Sequence, residues 1–426
     1  MTASPATTLD PVATAAAPAC RFCGTALTHT LVDLGMSPLC ESFLAADQLD
    51  QMEPFYPLHV RVCPSCLLVQ LPAYVTPEAI FREYAYFSAF SDSWVEHGRR
   101  YVETISARLG LNAASQVVEL ASNDGYLLQH FVARGVPALG VEPAWNVAEA
   151  ARARGVETLT EFFGRDLADA LVADGRAADL VIGNNVLAQV PDLNDFVAGI
   201  ARLLKPTGVA TLEFPHVVRL IEDGQFDTIY HEHFSYFSAG TVRRIADAHG
   251  LAFFDVEELP THGGSLRIYL ARRDGPPREP SPTLTGLLAR EAAGRYDRLE
   301  GYAGFEARVR AVKRDLLAFL IEAQRQGRRV AGYGAPGKGN TLLNYCGIRP
   351  DLLEFTVDRN PYKHGRFTPG THIPIFPPEH LEAERPDLVM ILPWNLRHEI
   401  AAQLSGLAAG GTRLFVAIPR LEVVAG

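Results

Sequence analysis

Short apolar runs recur along most of this chain, and between them the apolar positions fall at helical spacing. Val117, Val118 and Leu120 form one run around Glu119. A turn of small residues follows, from Ala121 through Ser122, Asn123 and Asp124 to Gly125, and then an apolar helix start at 126–131. Runs at 138–142, 178–183 and 209–214 have the same character; the first ends in Glu142 and the second leads into Asn184 and Asn185. Strands alternating with helices predict an α/β fold around an open, largely parallel sheet. From Phe81 to Leu109 the spacing is helical, with aromatic residues at its front. Before about residue 75 the pattern is one of short strands and turns. A Pro-rich stretch at 275–282 marks a boundary. Beyond it a long helical pattern runs to Gln326, and a second strand–turn–helix unit opens at 329–334. The pattern divides the chain into residues 1–75, 76–278 and 279–426.

Bulk properties narrow the classes. A chain of 426 residues is too long for one ordinary core. A net charge of −10 argues against a nucleic-acid partner, which needs a concentrated basic surface, and so disfavours an RNA-modifying enzyme. No apolar run is long enough to span a bilayer, so no membrane partner is expected. Residues 1–18, rich in Ala, Thr and Pro, lack a basic segment followed by an apolar one; they read as a disordered leader, and a cytoplasmic location is the default expectation.

Four of the six cysteines form two pairs, Cys20 with Cys23 and Cys63 with Cys66. Two cysteines separated by two residues present both sulfurs to one metal from a tight turn, and a second such pair completes a tetrahedral thiolate shell. Zinc is the expected ion, and a closed shell leaves no position for substrate, so its role is structural. Such a site contributes on the order of 10 kcal/mol to folding. The competing reading is a redox pair or unrelated buried cysteines. Cys40 and Cys346 read as ordinary small buried residues.

The first turn resembles the first motif of class I methyltransferases, with alanine in place of the usual first glycine. The resemblance implies S-adenosylmethionine as cofactor, bound along Glu119, Ala121, Ser122, Asn123, Asp124 and Gly125, with Glu142 on the ribose hydroxyls and Asn184 on the methionine portion. Alanine lacks free access to positive φ, so position 121 is expected to adopt ordinary backbone angles.

A second constellation packs Tyr230, His231, Glu232, His233, Phe234, Ser235, Tyr236 and Phe237 into eight positions. Histidines two apart point to opposite sides of a strand, which disfavours a metal site. Satisfied core histidines are the bland alternative. The functional reading is a general base, one histidine oriented by Glu232, because an imidazole of near-neutral pKa suits proton removal.

With these motifs together the chain resembles, over nearly its whole length, the C-methyltransferases of nucleotide-linked 4-keto-deoxysugars in antibiotic biosynthesis. The cysteine pairs, 119–125, 184–188, 230–237, 262–267, 332–339 and 392–395 carry the likeness. It is strongest to enzymes that methylate C-3 of dTDP-4-keto-2,6-dideoxyhexoses, 3-amino sugars included. The resemblance implies a zinc-binding N-terminal domain, a central Rossmann-like methyltransferase domain and a second Rossmann-like domain that shares in nucleotide-sugar binding. It also implies His233 as catalytic base with Tyr230 and Glu232 beside it. Tyr84 is the favoured tyrosine near the reacting centre, Tyr86 the alternative, and Tyr86 and Ser88 are expected close to the cofactor. His262, Ser265, Arg267, Lys338, Asn340 and Asn395 are candidate substrate contacts. Gln189 departs from the family, where histidine is common.

One rival remains open on the sequence. Gly332, Gly334 and Gly337 follow a strand, and Asp358 ends the next strand about twenty residues later, which matches the dinucleotide fingerprint of an NAD-dependent oxidoreductase. Lys338, just behind that turn, suits a phosphate instead. A non-catalytic zinc scaffold is the other alternative.

Overall fold

The computed structural model describes residues 18–76 and 87–424. Three sheets form among them. The chain begins with β1 (His29–Ser37), β2 (Tyr56–Val62) and β3 (Val69–Gln70), an antiparallel meander. Next come β4 (Val117–Leu120), β5 (Ala138–Val141), β6 (Glu157–Leu159), β7 (Ala178–Asn184) and β8 (Leu204–Pro215). Then follow the two-residue β9 (Ser235–Tyr236), β10 (Leu251–Leu259) and β11 (Ser265–Arg272).

The middle sheet has the order β10-β11-β8-β7-β4-β5-β6, parallel except where β11 runs against both its neighbours. The chain winds outward from β4 to β6 and returns to β7, so the sheet changes direction between β4 and β7. Ligands of open α/β sheets bind at the carboxyl ends of the strands at such a point. Every residue of β4 is buried, as expected for a strand covered on both faces.

The third sheet repeats the device. Its strands β12 (Val330–Tyr333), β13 (Thr356–Val357), β14 (Ile375–Phe376), β15 (Leu388–Ile391), β16 (Arg413–Val416) and β17 (Glu422–Val424) stand in the order β14-β13-β12-β15-β16-β17, with only β17 antiparallel. Its reversal lies between β12 and β15.

The N-terminal meander takes β9 as its fourth strand, through Val69 opposite Tyr236 and Gln70 opposite Ser235. It also shares both large cores. Val32 and Val60 pack in one cluster with Val309 and Leu316, while Cys63 and Leu68 pack in another with Phe237 and Val242.

Two helical expectations change. The helix expected from Phe81 is Asp92–Leu109, because the Ser91 side chain caps Trp94 N; residues 77–86 lie outside the described residues. The long helix expected before Gln326 is two, Pro282–Ala293 and Phe305–Arg325. Gly294, Gly301 and Gly304 fall between them and Arg295 turns left-handed, which ends the first helix. No helix among the described residues is long and apolar enough to cross a membrane.

Candidate active site

One cleft of about 570 Å³ lies between the two reversal points. The middle sheet supplies Ala121, Asn123, Glu142 and Asn184; the third sheet supplies Gly337, Lys338 and Asn395; Tyr230, Glu232 and His233 lie in the wall between.

At the cofactor end Glu142 accepts backbone hydrogens from Asn123 at 2.9 Å and Ala144 at 2.9 Å, one on each oxygen. Burial pushes its carboxyl up to about 7, with Asp124 adding and the two N–H groups opposing. Ser88 N donates to Asn123 Oδ1 at 2.8 Å, which closes the segment before the Asp92–Leu109 helix over the turn. Asn184 Nδ2 reaches the Tyr126 hydroxyl at 3.4 Å.

The side chains of Glu119, Ser122 and Asp124 are buried and do not line the cleft. Asp124 pairs with Arg154 at 2.9 Å. Gly125 turns at φ 76° against Val156 and Ala151. Burial, then Glu142 and Asp124, hold the Glu119 carboxyl well above its usual range, and one of its oxygens has no hydrogen-bond partner. Of the three acids only Glu142 lines the cleft, beside Asn123 and Asn184, and a carboxyl with two amides suits the ribose hydroxyls and the amino-acid end of S-adenosylmethionine. The residues fit the group.

The expected backbone at position 121 is overturned. Ala121 sits at φ 53°, left-handed, and so do Asn123 at 50°, Asn185 at 56° and His262 at 54°, all four on the cleft. Each such residue costs about 1–2 kcal/mol, and strain of this kind collects where the surrounding fold over-determines a ligand site.

His233 is held by the backbone. Its Nδ1 donates to the Thr228 carbonyl at 2.9 Å, since a carbonyl can only accept, and this leaves the Nε2 lone pair as the ring's acceptor. The group bonded to the ring is therefore the Thr228 carbonyl, where the sequence points to Glu232. The Tyr230 ring lies over the imidazole with centroids 4.0 Å apart. Burial, with Lys338 adding, pushes His233 down to about 4 against the opposing Thr228 bond. His231 turns away: its Nε2 meets the Pro57 carbonyl at 3.3 Å on β2. Glu232 lines the cleft and stands 3.7 Å from Cys40 Sγ.

His262 faces the same space, bonded to Asn185 Nδ2 at 3.1 Å and edge-on to Trp94. Its loop closes against the third sheet, where a Cβ on Gly263 would come within 2.5 Å of Trp394. Trp394 Nε1 donates to Asp227 at 2.7 Å, and Lys338 Nζ to Asn395 Oδ1 at 2.8 Å. Burial holds the Lys338 ammonium below the ordinary lysine range.

Three candidate substrate contacts stand elsewhere. Arg267 is buried between Glu213 at 2.6 Å and Glu257 at 3.0 Å. Ser265 Oγ donates to the Thr261 carbonyl at 2.9 Å, and Thr261 Oγ1 to Glu213 at 2.9 Å, so both residues brace the His262 loop. Asn340 donates to the Cys40 carbonyl at 2.6 Å. Tyr84 and Tyr86 lie outside the described residues. Sequence reasoning missed Glu41, Trp94, Glu161, Phe162 and Lys363, which line the cleft. Nothing in the pattern joins residue 41 to residue 337, three hundred positions away.

Glu41 also bears on the dinucleotide rival. Its carboxylate accepts the Gly337 N–H at the start of the Gly337–Cys346 helix and lies 3.6 Å from Lys363. A Cβ on Gly337 would meet Cys40 Sγ at 2.8 Å. The Gly337 N–H, one of the groups with which such turns hold a dinucleotide pyrophosphate, is thus already taken by a side chain of the protein itself.

The Sγ atoms of Cys20, Cys23, Cys63 and Cys66 lie within 4.8 Å of one another. That spread fits four thiolates about 2.3 Å from one zinc ion. It is the only such group among the described residues.

The strand order, the acid-flanked turn and the second acid one strand over define a class I methyltransferase dependent on S-adenosylmethionine. Comparison with known proteins narrows the class. Family profiles match a zinc binding domain at residues 20–81, a methyltransferase domain at 94–256 and a C-methyltransferase C-terminal domain at 260–419. The C-methyltransferase NovU of Streptomyces niveus is 35% identical over 408 residues, covering 95% of this chain and 96% of its own. The chain belongs to the C-methyltransferase family. Among solved structures, an S-adenosylmethionine-dependent methyltransferase from Clostridium acetobutylicum ATCC 824 is 12% identical over 44% of this chain and 94% of its own, with a TM-score of 0.35. The CcbJ methyltransferase from Streptomyces caelestis is 15% identical over 41% of this chain and 89% of its own, with a TM-score of 0.33.

Proposed function

We propose that this enzyme methylates C-3 of a dTDP-linked 4-keto-6-deoxysugar, with His233 as the base. The observation that carries the reading is the His233 ring, whose Nδ1 hydrogen is engaged by Thr228 while Nε2 keeps its lone pair in the shared cleft. A carbon next to a ketone gives up its proton only if the enolate oxygen is stabilised as charge develops. His233 Nε2 removes the C-3 proton, the C–H electron pair forms the C-3–C-4 double bond, and the carbonyl π pair moves onto the C-4 oxygen, where a tyrosine hydroxyl donates; Tyr84, Tyr86 and Tyr230 are the candidates. S-adenosylmethionine supplies a methyl group on a sulfonium. The enolate carbon attacks that methyl in line from the face opposite the departed proton, so configuration at C-3 inverts and S-adenosylhomocysteine leaves.

The remaining residues bind and orient. Glu142 accepts the ribose hydroxyls, Asn184 and Asn123 hold the methionine portion, and Ser88 closes over it. Lys338 and Asn395 face the diphosphate, and His262 the sugar. Ser265, Arg267 and Asn340 act from behind, through the His262 loop and the Cys40 segment.

The test is the product formed from methyl-13C S-adenosylmethionine and a dTDP-4-keto-2,6-dideoxyhexose, read by long-range carbon–proton correlation. Coupling of the new methyl to C-2 and to the C-4 ketone is expected. Coupling to C-6 would place the methyl on C-5, the other carbon beside the ketone, and contradict the assignment.

A further inference from the structure

Arg21 stands between Cys20 and Cys23, and its side chain leaves the metal loop for the wall of the cleft. Nη1 donates to the Pro191 carbonyl at 3.0 Å and Nη2 to the Leu71 carbonyl, while the guanidinium lies over the Phe234 ring, 5.4 Å from its centroid. These contacts are on the segments that matter for proton removal. Phe234 follows His233, and its own backbone is bonded on both sides, N–H to Ala188 at 2.8 Å and carbonyl to Leu71 N at 3.0 Å. Ala188, Gln189 and Pro191 line the cleft, whereas Arg21 does not.

A second path runs beside it. Arg21 N donates to Gln70 Oε1 at 2.9 Å, and Gln70 Nε2 donates to Cys20 Sγ at 3.1 Å. Gln70 is the residue of β3 that pairs with Ser235, two positions beyond His233. Among the described residues no carboxylate pairs with Arg21; burial opposes its charge, Cys20 is the group that most favours it, and its Nε is buried without a partner. A guanidinium kept at that cost, bonded to carbonyls of two segments and stacked on a third, works as a clamp.

We propose that Arg21 is a positioning residue for His233, through which the zinc loop sets the geometry of proton removal. The inference rests on His233 as the base. It gives the metal a role in turnover without placing it in the chemistry: the thiolate shell fixes the Cys20–Cys23 loop, and Arg21 and Gln70 carry that fixity to the segment 233–235.

The experiment compares zinc-loaded Arg21→Lys and Arg21→Met with wild type and with Arg202→Lys, an exposed control. Zinc content, thermal midpoint, cofactor Kd, kcat, KM and the nitrogen resonances of the His233 ring are read together. Lysine keeps the charge but cannot span two carbonyls and stack. In Arg21→Lys, zinc content and cofactor Kd should stay within about twofold of wild type while kcat falls about 10–100-fold with little change in KM. The His233 Nε2 resonance should move with it, and should not move in Arg202→Lys. An unchanged kcat, or a fall that only tracks zinc loss or a lowered midpoint in both variants, overturns the proposal. If wild type methylates no 4-keto sugar, the functional reading fails by itself. The His233 resonance then still decides whether Arg21 positions the ring.

Discussion

His233 and Ala121 show how far a single residue's chemistry depends on backbone atoms that no sequence pattern displays. The imidazole takes its tautomer from the Thr228 carbonyl, five positions earlier, while the adjacent carboxylate at Glu232 looked the better partner on paper. Burial lowers the ring's pKa to about 4, so the base form prevails well below neutrality. The free-enzyme pKa sets the acid limb of kcat/KM. With S-adenosylmethionine saturating, so that Glu142, near 7 in the free enzyme, is already engaged, the profile for the sugar should stay flat down to about pH 6 and fall only toward pH 4; an acid limb at about 6.5, the ordinary histidine value, would show that the ring is not buried as described. The sign for stability agrees. A folded pKa below the unfolded value means that stability is complete above about pH 6.5 and is lost as pH falls toward the folded value.

Ala121 was expected at ordinary angles because alanine resists positive φ, yet the fold imposes 53°. Replacing it by glycine should relieve that strain while loosening the unfolded chain, for a net gain of about 0.5 kcal/mol. Ala121→Val adds a β-branched side chain and should cost about 1–3 kcal/mol. Denaturant midpoints of both variants check this, and a destabilised Ala121→Gly would argue against the left-handed turn.

At the scale of elements, the strands of the middle sheet were legible because each is a short apolar run bounded by turn residues, and β4 and β7 begin where expected. Two kinds of element were not. The break between the helices Pro282–Ala293 and Phe305–Arg325 was masked by apolar residues that keep helical spacing across three glycines. Strand β9, two residues long, has no pattern of its own; it exists because β3 offers it an edge. That pairing ties the metal loop to the segment that carries His233. A strong chelator should remove a single zinc ion per chain, lower the thermal midpoint and expose the Tyr236 side of the segment to hydrogen exchange. If exchange at 233–236 is unchanged after zinc loss, the meander does not hold that segment.

Over the whole molecule the two α/β units were legible and their meeting was not. Each has a reversal point where a ligand would bind, and treated singly the second one satisfies a dinucleotide fingerprint. Only in three dimensions does Glu41 from the N-terminal part come to lie on its glycine turn. The same packing turns two crevices into one cleft, with Glu142 and Asn184 at the first turn and Lys338 and Asn395 on the third-sheet side. The N-terminal part, which looked like a separate small domain, shares its core with both units, so its loss should not leave the rest intact.

In the proposed reaction His233 Nε2 takes a proton from the carbon beside the substrate ketone. His233→Asn retains a polar side chain of similar reach but no base. It should bind S-adenosylmethionine as wild type does, yet lose both methyl transfer and exchange of the C-3 hydrogen in deuterium oxide by about 10²–10⁴-fold, far more than Tyr230→Phe. Near-normal exchange by a folded, cofactor-binding His233→Asn protein would contradict the account.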